Sequence, residues 1–231
     1  MNAASDLIAR LRGMGDATKA AEMSAYHKTS REFLGLSAQP LDEMARDMRR
    51  TLALPDRLAL AQGLWKSDIH EARILAAKLL TQARIRPDDA PVWQMIAAWV
   101  QDFDSWALAD HAAIAGAKRL QADPSRLDEV EGWTRDPNLW VRRAALVMTL
   151  PWARLPHPKA QDLAVRERVL GWAADYVPDQ DWFIQKAIAW WLRDLSRRDP
   201  ERVAAFLDGP GRAMRRFART EAQRIMRKAG S

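Results

Sequence analysis

Asp136-Pro137-Asn138-Leu139-Trp140-Val141-Arg142-Arg143-Ala144-Ala145-Leu146-Val147-Met148 is the stretch that decides the fold. An Asp-Pro pair opens it. The carboxylate caps orphan backbone N–H groups, and proline suits the first helical position because its missing N–H is not needed there. Ala144, Val147 and Met148 then share one stripe at helical spacing. The same start signal recurs at Asp123-Pro124 and Asp199-Pro200, and Ile69, Ala72, Ala76, Leu79 and Leu80 form a second stripe. Ten glycines in 231 residues is low, and strand-like alternation is scarce. The pattern predicts about a dozen helices, most of roughly 10 to 18 residues, joined by short turns.

Four segments look related: His70-Glu71-Ala72-Arg73-Ile74, Trp106-Ala107-Leu108-Ala109-Asp110, Trp140-Val141-Arg142-Arg143-Ala144 and Phe183-Ile184-Gln185-Lys186-Ala187. Three begin with an aromatic residue, and three carry Arg or Lys three positions later. Their starts lie 36, 34 and 43 residues apart. Degenerate two-helix repeats with a period of about 40 residues predict an all-α, HEAT-like α-solenoid. One helix pair cannot bury its apolar side alone, so neighbours stack and the second helices are expected to line a concave face. No Gly/Ser-rich linker divides the chain, so residues 1–231 are expected to form a single HEAT-like-repeat domain.

Composition narrows the function. With 48% hydrophobic and 29% charged residues in 26.2 kDa, a core can form and wholesale disorder is excluded. The absence of cysteine excludes a disulfide framework, a thiolate zinc site, an iron–sulfur cluster and a cysteine nucleophile. No apolar run exceeds the length of Ala187 to Leu192, far short of the roughly 20 residues a membrane-spanning helix needs. Met1-Asn2-Ala3-Ala4-Ser5-Asp6 lacks a basic region followed by an apolar one, so no signal peptide is expected and the cytoplasm is the expected compartment. His27, His70, His111 and His157 are scattered without metal-ligand spacing, so no metal is expected. Neither GxxxxGK[ST], GxGxxG nor GxSxG occurs, which leaves nucleotide hydrolysis, dinucleotide binding and serine hydrolysis without support, and no cofactor is expected.

Charge points elsewhere. Lys and Arg total 36 against 30 Asp and Glu, a net charge of +6. Gly209 to Ser231 carries Arg212, Arg215, Arg216, Arg219, Arg224, Arg227 and Lys228 against Glu221 alone, a net +6 that equals the whole chain's. Such a stretch, expected here as a basic helix, fits a polyanion such as nucleic acid, or simply a solvated face. The eleven tryptophans, against two tyrosines and five phenylalanines, are the other departure.

Three aromatic–ionic pairs follow from helical spacing. Trp106 and Asp110, at i and i+4, share a face, and a carboxylate beside an indole holds a cation through charge and π density. The same pair also fits a surface aspartate beside a half-buried tryptophan. Trp140 and Arg143 lie at i and i+3, with Arg142 about 100° away, so one of the two arginines faces a groove. Phe183, Lys186 and Trp190 fall on one stripe while Trp191 points into the core. That stripe fits a snorkelling lysine on a buried face or a surface that packs on sugars and phosphates.

Through these residues the chain resembles the DNA alkylation repair family of HEAT-like DNA glycosylases, the AlkD type, from about Ala20 to Lys228. The pieces that carry the resemblance are Asn138-Leu139-Trp140-Val141-Arg142-Arg143-Ala144-Ala145, Phe183-Ile184-Gln185-Lys186-Ala187-Ile188-Ala189-Trp190, Trp106 with Asp110, and Tyr26-His27-Lys28 followed by Phe33-Leu34-Gly35-Leu36. It implies removal of purines alkylated at N3 or N7 from double-stranded DNA. It also implies Asp110 as the catalytic carboxylate, Trp106 and Trp190 flanking the deoxyribose, and Arg143 on the backbone. Tyr26, Lys28, Trp140, Arg142, Lys186, Arg193, Arg212, Arg215, Arg216 and Arg219 are the expected DNA-contacting residues. Departures from some members are Ser105 for a second aromatic, Arg142 for an uncharged residue, and the more polar Thr29-Ser30-Arg31-Glu32; these bear on substrate range.

The chemistry fits. An N3- or N7-alkylated purine is already cationic and leaves without strong acid catalysis. The sugar then needs negative charge and π density beside it, from a carboxylate that acts on the cation, positions water, or both. No Schiff-base lysine is in evidence, so a monofunctional enzyme is expected. A monomer suffices. The rivals are a catalytically silent DNA-structure binder on the same scaffold and a HEAT-like protein–protein scaffold.

Overall fold

The computed structural model describes residues 3–229, with side chains through residue 226. Two of the C-terminal cations, Arg227 and Lys228, therefore lie outside the residues whose side chains are described. The chain divides into two compact units, Met1–Arg119 and Leu120–Ser231. Among the described residues the only β pairing is an isolated bridge between Glu32 and Ile69.

The first unit contains α1 (Ala3–Gly13), α2 (Ala17–His27), α3 (Ala38–Thr51), α4 (Leu54–Lys66), α5 (His70–Leu79), α6 (Ala90–Trp99) and most of α7 (Trp106–Ala122). Helix α5 lies at its centre, packed on α3 and α4, with every residue but Lys78 buried. The second unit contains α8 (Leu127–Trp133), α9 (Leu139–Met148), α10 (Leu150–Arg154), α11 (Ala160–Tyr176), α12 (Trp182–Leu195), α13 (Pro200–Asp208), α14 (Arg216–Ala222) and α15 (Arg224–Ala229). Here α12 is central, packed on α9, α10 and α14. The all-α, HEAT-like class expected from the spacing is the one the chain adopts. The four related segments open α5, α7, α9 and α12.

The repeat is written into the side-chain bonding. Within the first unit, Trp65 donates to Asp102, Trp99 to Gln62 and the Leu34 amide to Glu71, each across 37 residues. Within the second, Arg168 donates to Glu131 and Arg142 to Asp179 across the same 37, and Arg154 to Asp194 across 40. Trp65 and Trp99 stack at 4.2 Å and 5°. Six tryptophans, Trp65, Trp93, Trp99, Trp152, Trp172 and Trp191, are buried in the core. Each contributes about 3 kcal/mol relative to exposure. Trp106, Trp133, Trp140, Trp182 and Trp190 keep part of their surface in solvent.

Three local expectations change. Asp199 caps Pro200 as read, accepting from the Arg202 amide at 3.0 Å, but Asp123-Pro124 opens a 3-10 turn. Asp136-Pro137 stops short of its helix: Asp136 accepts from the Asn138 amide, and Asn138 caps α9 by accepting from the Trp140 amide at 2.9 Å. The basic C-terminal segment is not one helix. It forms a 3-10 turn over Pro210–Ala213, then α14 and α15, with Gly209-Pro210 separating the turn from α13. A Cβ on Gly211 would lie 2.9 Å from the Phe206 carbonyl oxygen. Several helices, α8, α10, α13, α14 and α15, are also shorter than the expected range.

Candidate active site

In the first unit the site begins at the start of α7. Asp104 and Ser105 lead into it, and the Arg31 guanidinium, buried, ties Asp104 at 2.7 Å and also pairs with Asp68. Trp106 is the first helical residue. Asp110 follows one turn later and is 7% exposed. It is not the surface aspartate of the blander alternative.

A set of rings builds out from Trp106. His27 lies 5.5 Å from it, centroid to centroid, and Tyr26, 69% exposed, meets it edge-on at 6.4 Å. His27 stacks on Phe33 at 5.6 Å, and Phe33 stacks on His70 at 4.5 Å. Burial pushes His27 below its ordinary value, against the nearby Glu71 and Asp104. Burial, with His27, Arg31 and His111 nearby, lowers His70 to about 3. Burial lowers His111 as well, although its ring nitrogen bonds the Ala107 carbonyl at 2.8 Å. Burial thus disfavours the imidazolium form of all three, and the wall offers π density.

The loop carrying Phe33 is held from beneath. Glu71, fully buried, accepts from the amides of Leu34, Gly35 and Leu36 at 2.8 to 3.2 Å. Gly35 has φ of 76°, and a Cβ there would lie 2.2 Å from the Asp16 carbonyl oxygen, so only glycine fits. Lys28, also left-handed at φ 55°, ends α2 and is exposed.

In the second unit α9 and α12 supply the remaining residues. Arg143 is 4% exposed and donates to the Phe183 carbonyl at 2.8 Å. Arg142 donates to the carbonyls of Asp136 and Pro137 and pairs with Asp179 at 2.9 Å. The Asp181 carboxylate caps α12 at the Phe183 amide. Trp191 is fully buried, as expected. Trp190 donates its indole N–H to Asp194 at 3.1 Å. That carboxylate also accepts from Arg154 at 2.7 Å and lies 3.5 Å from Arg193. Arg193 in turn pairs with Glu221.

The C-terminal arginines divide. Arg219 is tied to the carbonyls of Leu207 and Gly211 at 2.8 and 2.6 Å. Arg212, Arg215 and Arg216 are exposed, and the Arg215 guanidinium reaches the Gln180 carbonyl at 3.2 Å and the Phe217 ring. Tyr26 is therefore brought to Trp106, and Trp140 to Phe183 at 4.7 Å. Sequence reading missed Asp194, Glu71, Trp182 and Phe217. Asp194 had a signal, since it follows Trp190 by the same four residues that separate Trp106 from Asp110.

The fold and these pairs define an all-α helical-repeat protein with aromatic–ionic clusters at its repeated helix starts. The chain belongs to the DNA alkylation repair family: the model described as "DNA alkylation repair enzyme" matches residues 7–226. A structure described as a predicted DNA alkylation repair enzyme from Enterococcus faecalis is similar at 22% identity and a TM-score of 0.73, over 90% of this chain and 95% of that one. AlkD2 from Streptococcus mutans is similar at 19% identity and a TM-score of 0.58, over 75% and 82%. At these identities the structural likeness is one of fold. No curated protein matches the sequence.

Proposed function

We propose that the protein is a monofunctional DNA glycosylase that excises cationic N3- and N7-alkylated purines from double-stranded DNA. The observation that carries this is Asp110, a carboxylate 7% exposed, one helical turn from Trp106, against which the rings of Tyr26 and His27 pack. Membership of a DNA alkylation repair family supports DNA as the substrate.

In the reaction, a water oxygen bonds to C1′ as the C1′–N bond breaks. The electron pair leaves with the base, which departs neutral, and the water proton passes to Asp110 or to solvent. Asp110 stabilises the sugar cation, positions the water, or both. A ring wall whose burial disfavours imidazolium suits this step, because an imidazolium would repel the developing charge. Trp106 supplies π density beside the deoxyribose, and in the second unit Trp190 and Arg143 contact the DNA strand. Lys186, Arg212, Arg215 and Arg216 supply phosphate contacts directly, together with Lys28 and the aromatic Tyr26 and Trp140. Arg142, Arg143, Arg193 and Arg219 exchange an internal partner for a phosphate, so each adds less affinity. The enzyme works as a monomer, as one domain, without metal or cofactor, in the cytoplasm.

The test is base release from duplex DNA carrying a single N7-methylguanine or N3-methyladenine. Free base and an uncut abasic strand are expected. Release of neither base, with tight and salt-sensitive duplex binding, replaces the glycosylase with the silent DNA binder. Release accompanied by strand cleavage overturns the monofunctional assignment.

A further inference from the structure

Four rings form a ladder in the second unit. Trp140 meets Phe183 at 4.7 Å, Phe183 meets Trp182 edge-on at 4.9 Å, and Trp182 stacks on Phe217 at 5.8 Å and 21°. Trp182 is 46% exposed, the most exposed tryptophan of the core-forming α12. Two cations lie on the ladder: the Lys186 ammonium is 5.6 Å from the Trp182 ring centre, and the Arg215 guanidinium is 5.6 Å from that of Phe217. Arg212 and Arg216 flank Arg215 in sequence and are exposed. Among the described residues, none of Lys186, Arg212, Arg215 and Arg216 is paired with a carboxylate. This contrasts with Arg193, held by Glu221, and Arg202, held by Glu167.

A surface of indole and phenyl rings with unneutralised cations calls for a partner that brings both π faces and negative charge. An acidic peptide uses the cations and leaves the rings idle. A paired and stacked base hides its faces from a protein ring, whereas an unpaired base presents one beside its own phosphate. Lys186 holds its place over Trp182 by a flexible stem, so a base that displaces it leaves the ammonium next to that phosphate.

We propose that the Trp182–Phe217 ladder is a binding surface for single-stranded DNA, with an unpaired base stacked on Trp182 and its phosphates on Lys186 and Arg215. The proposal rests on DNA as the partner but not on the excision reaction. It gives the protein a second mode of contact, selective for unpaired nucleotides.

The experiment measures affinity of the full chain for a labelled oligothymidylate and for a mixed-sequence duplex of equal length. Trp182→Ala is expected to weaken oligothymidylate binding about 10-fold, with a smaller effect on the duplex, and Trp182→Phe to restore most of the loss. Lys186→Ala with Arg215→Ala is expected to flatten the salt dependence for the single strand. Unchanged oligothymidylate affinity in Trp182→Ala overturns the proposal, as does an equal loss on both DNAs or competition by a polyaspartate peptide that depends on Trp182. Duplex binding without any single-strand binding overturns the ladder's role alone. Base release is not read here, so failure of the glycosylase assignment leaves the outcome intact.

Discussion

Trp106 and Trp190 each have an aspartate four residues on, yet their surroundings are opposite. Around Trp106 the neighbours are rings: Tyr26 and His27 against the indole, with Phe33 and His70 behind. Around Trp190 they are ions: Asp194 takes the indole N–H and the Arg154 guanidinium, and Arg193 and Glu221 extend the network. The same sequence spacing thus yields an aromatic wall in one unit and an ionic cluster in the other. Asp194, shared by an indole and an arginine, anchors its cluster. The rings packed on Trp106 supply π density suited to a transient cation.

The largest expected effect is on the wall. Glu71→Ala leaves three buried amides without their acceptor, and stability should fall by about 4 kcal/mol. Thermal or denaturant unfolding measures it. A loss below about 1 kcal/mol would mean that the Phe33 loop does not depend on Glu71.

Next is pH. The His70 value of about 3 lies well below the ordinary 6.5. Between these values the unfolded chain binds a proton that the folded chain refuses, so stability falls as pH drops below about 6.5. At pH 5 the cost from His70 is about 2 kcal/mol. His27 and His111, shifted the same way, add to it. His70→Phe keeps a ring against Phe33 and should reduce the drop in melting temperature between pH 7 and 5. An identical drop in the variant would remove His70 from the explanation.

The smallest effect separates tied from untied arginines. Arg216→Ala should lower the slope of duplex affinity against salt by about one counterion, whereas Arg219→Ala should change stability more than that slope. Equal slopes for both variants would erase the distinction.

Much of this was legible in the sequence. The four related segments mark real helix starts because helix packing repeats about every 40 residues, and the same offset reappears in the bonds from Trp65 to Asp102 and from Arg154 to Asp194. The core role of Trp191 followed from helical geometry. What stayed hidden depends on contacts between distant elements. Nothing local says that Arg219 caps the Leu207 carbonyl, that Arg143 reaches the Phe183 carbonyl, or that Trp182 lands on Phe217. The neutrality of His70 was equally invisible, because it comes from burial. Even the start of α9 was misread by two residues, since Asp136 and Asn138 both qualify as caps and only the Trp140 amide decides between them.

The central claim is that Asp110, and not its counterpart Asp194, acts on the reacting sugar. Single-turnover release of N7-methylguanine from duplex DNA, compared for wild type, Asp110→Asn and Asp194→Asn, tests it directly. Asp110→Asn should slow release by about 100-fold or more with duplex affinity retained, while Asp194→Asn loses stability and changes the rate far less. Release by Asp110→Asn at the wild-type rate, or an equal collapse in both variants, would contradict it.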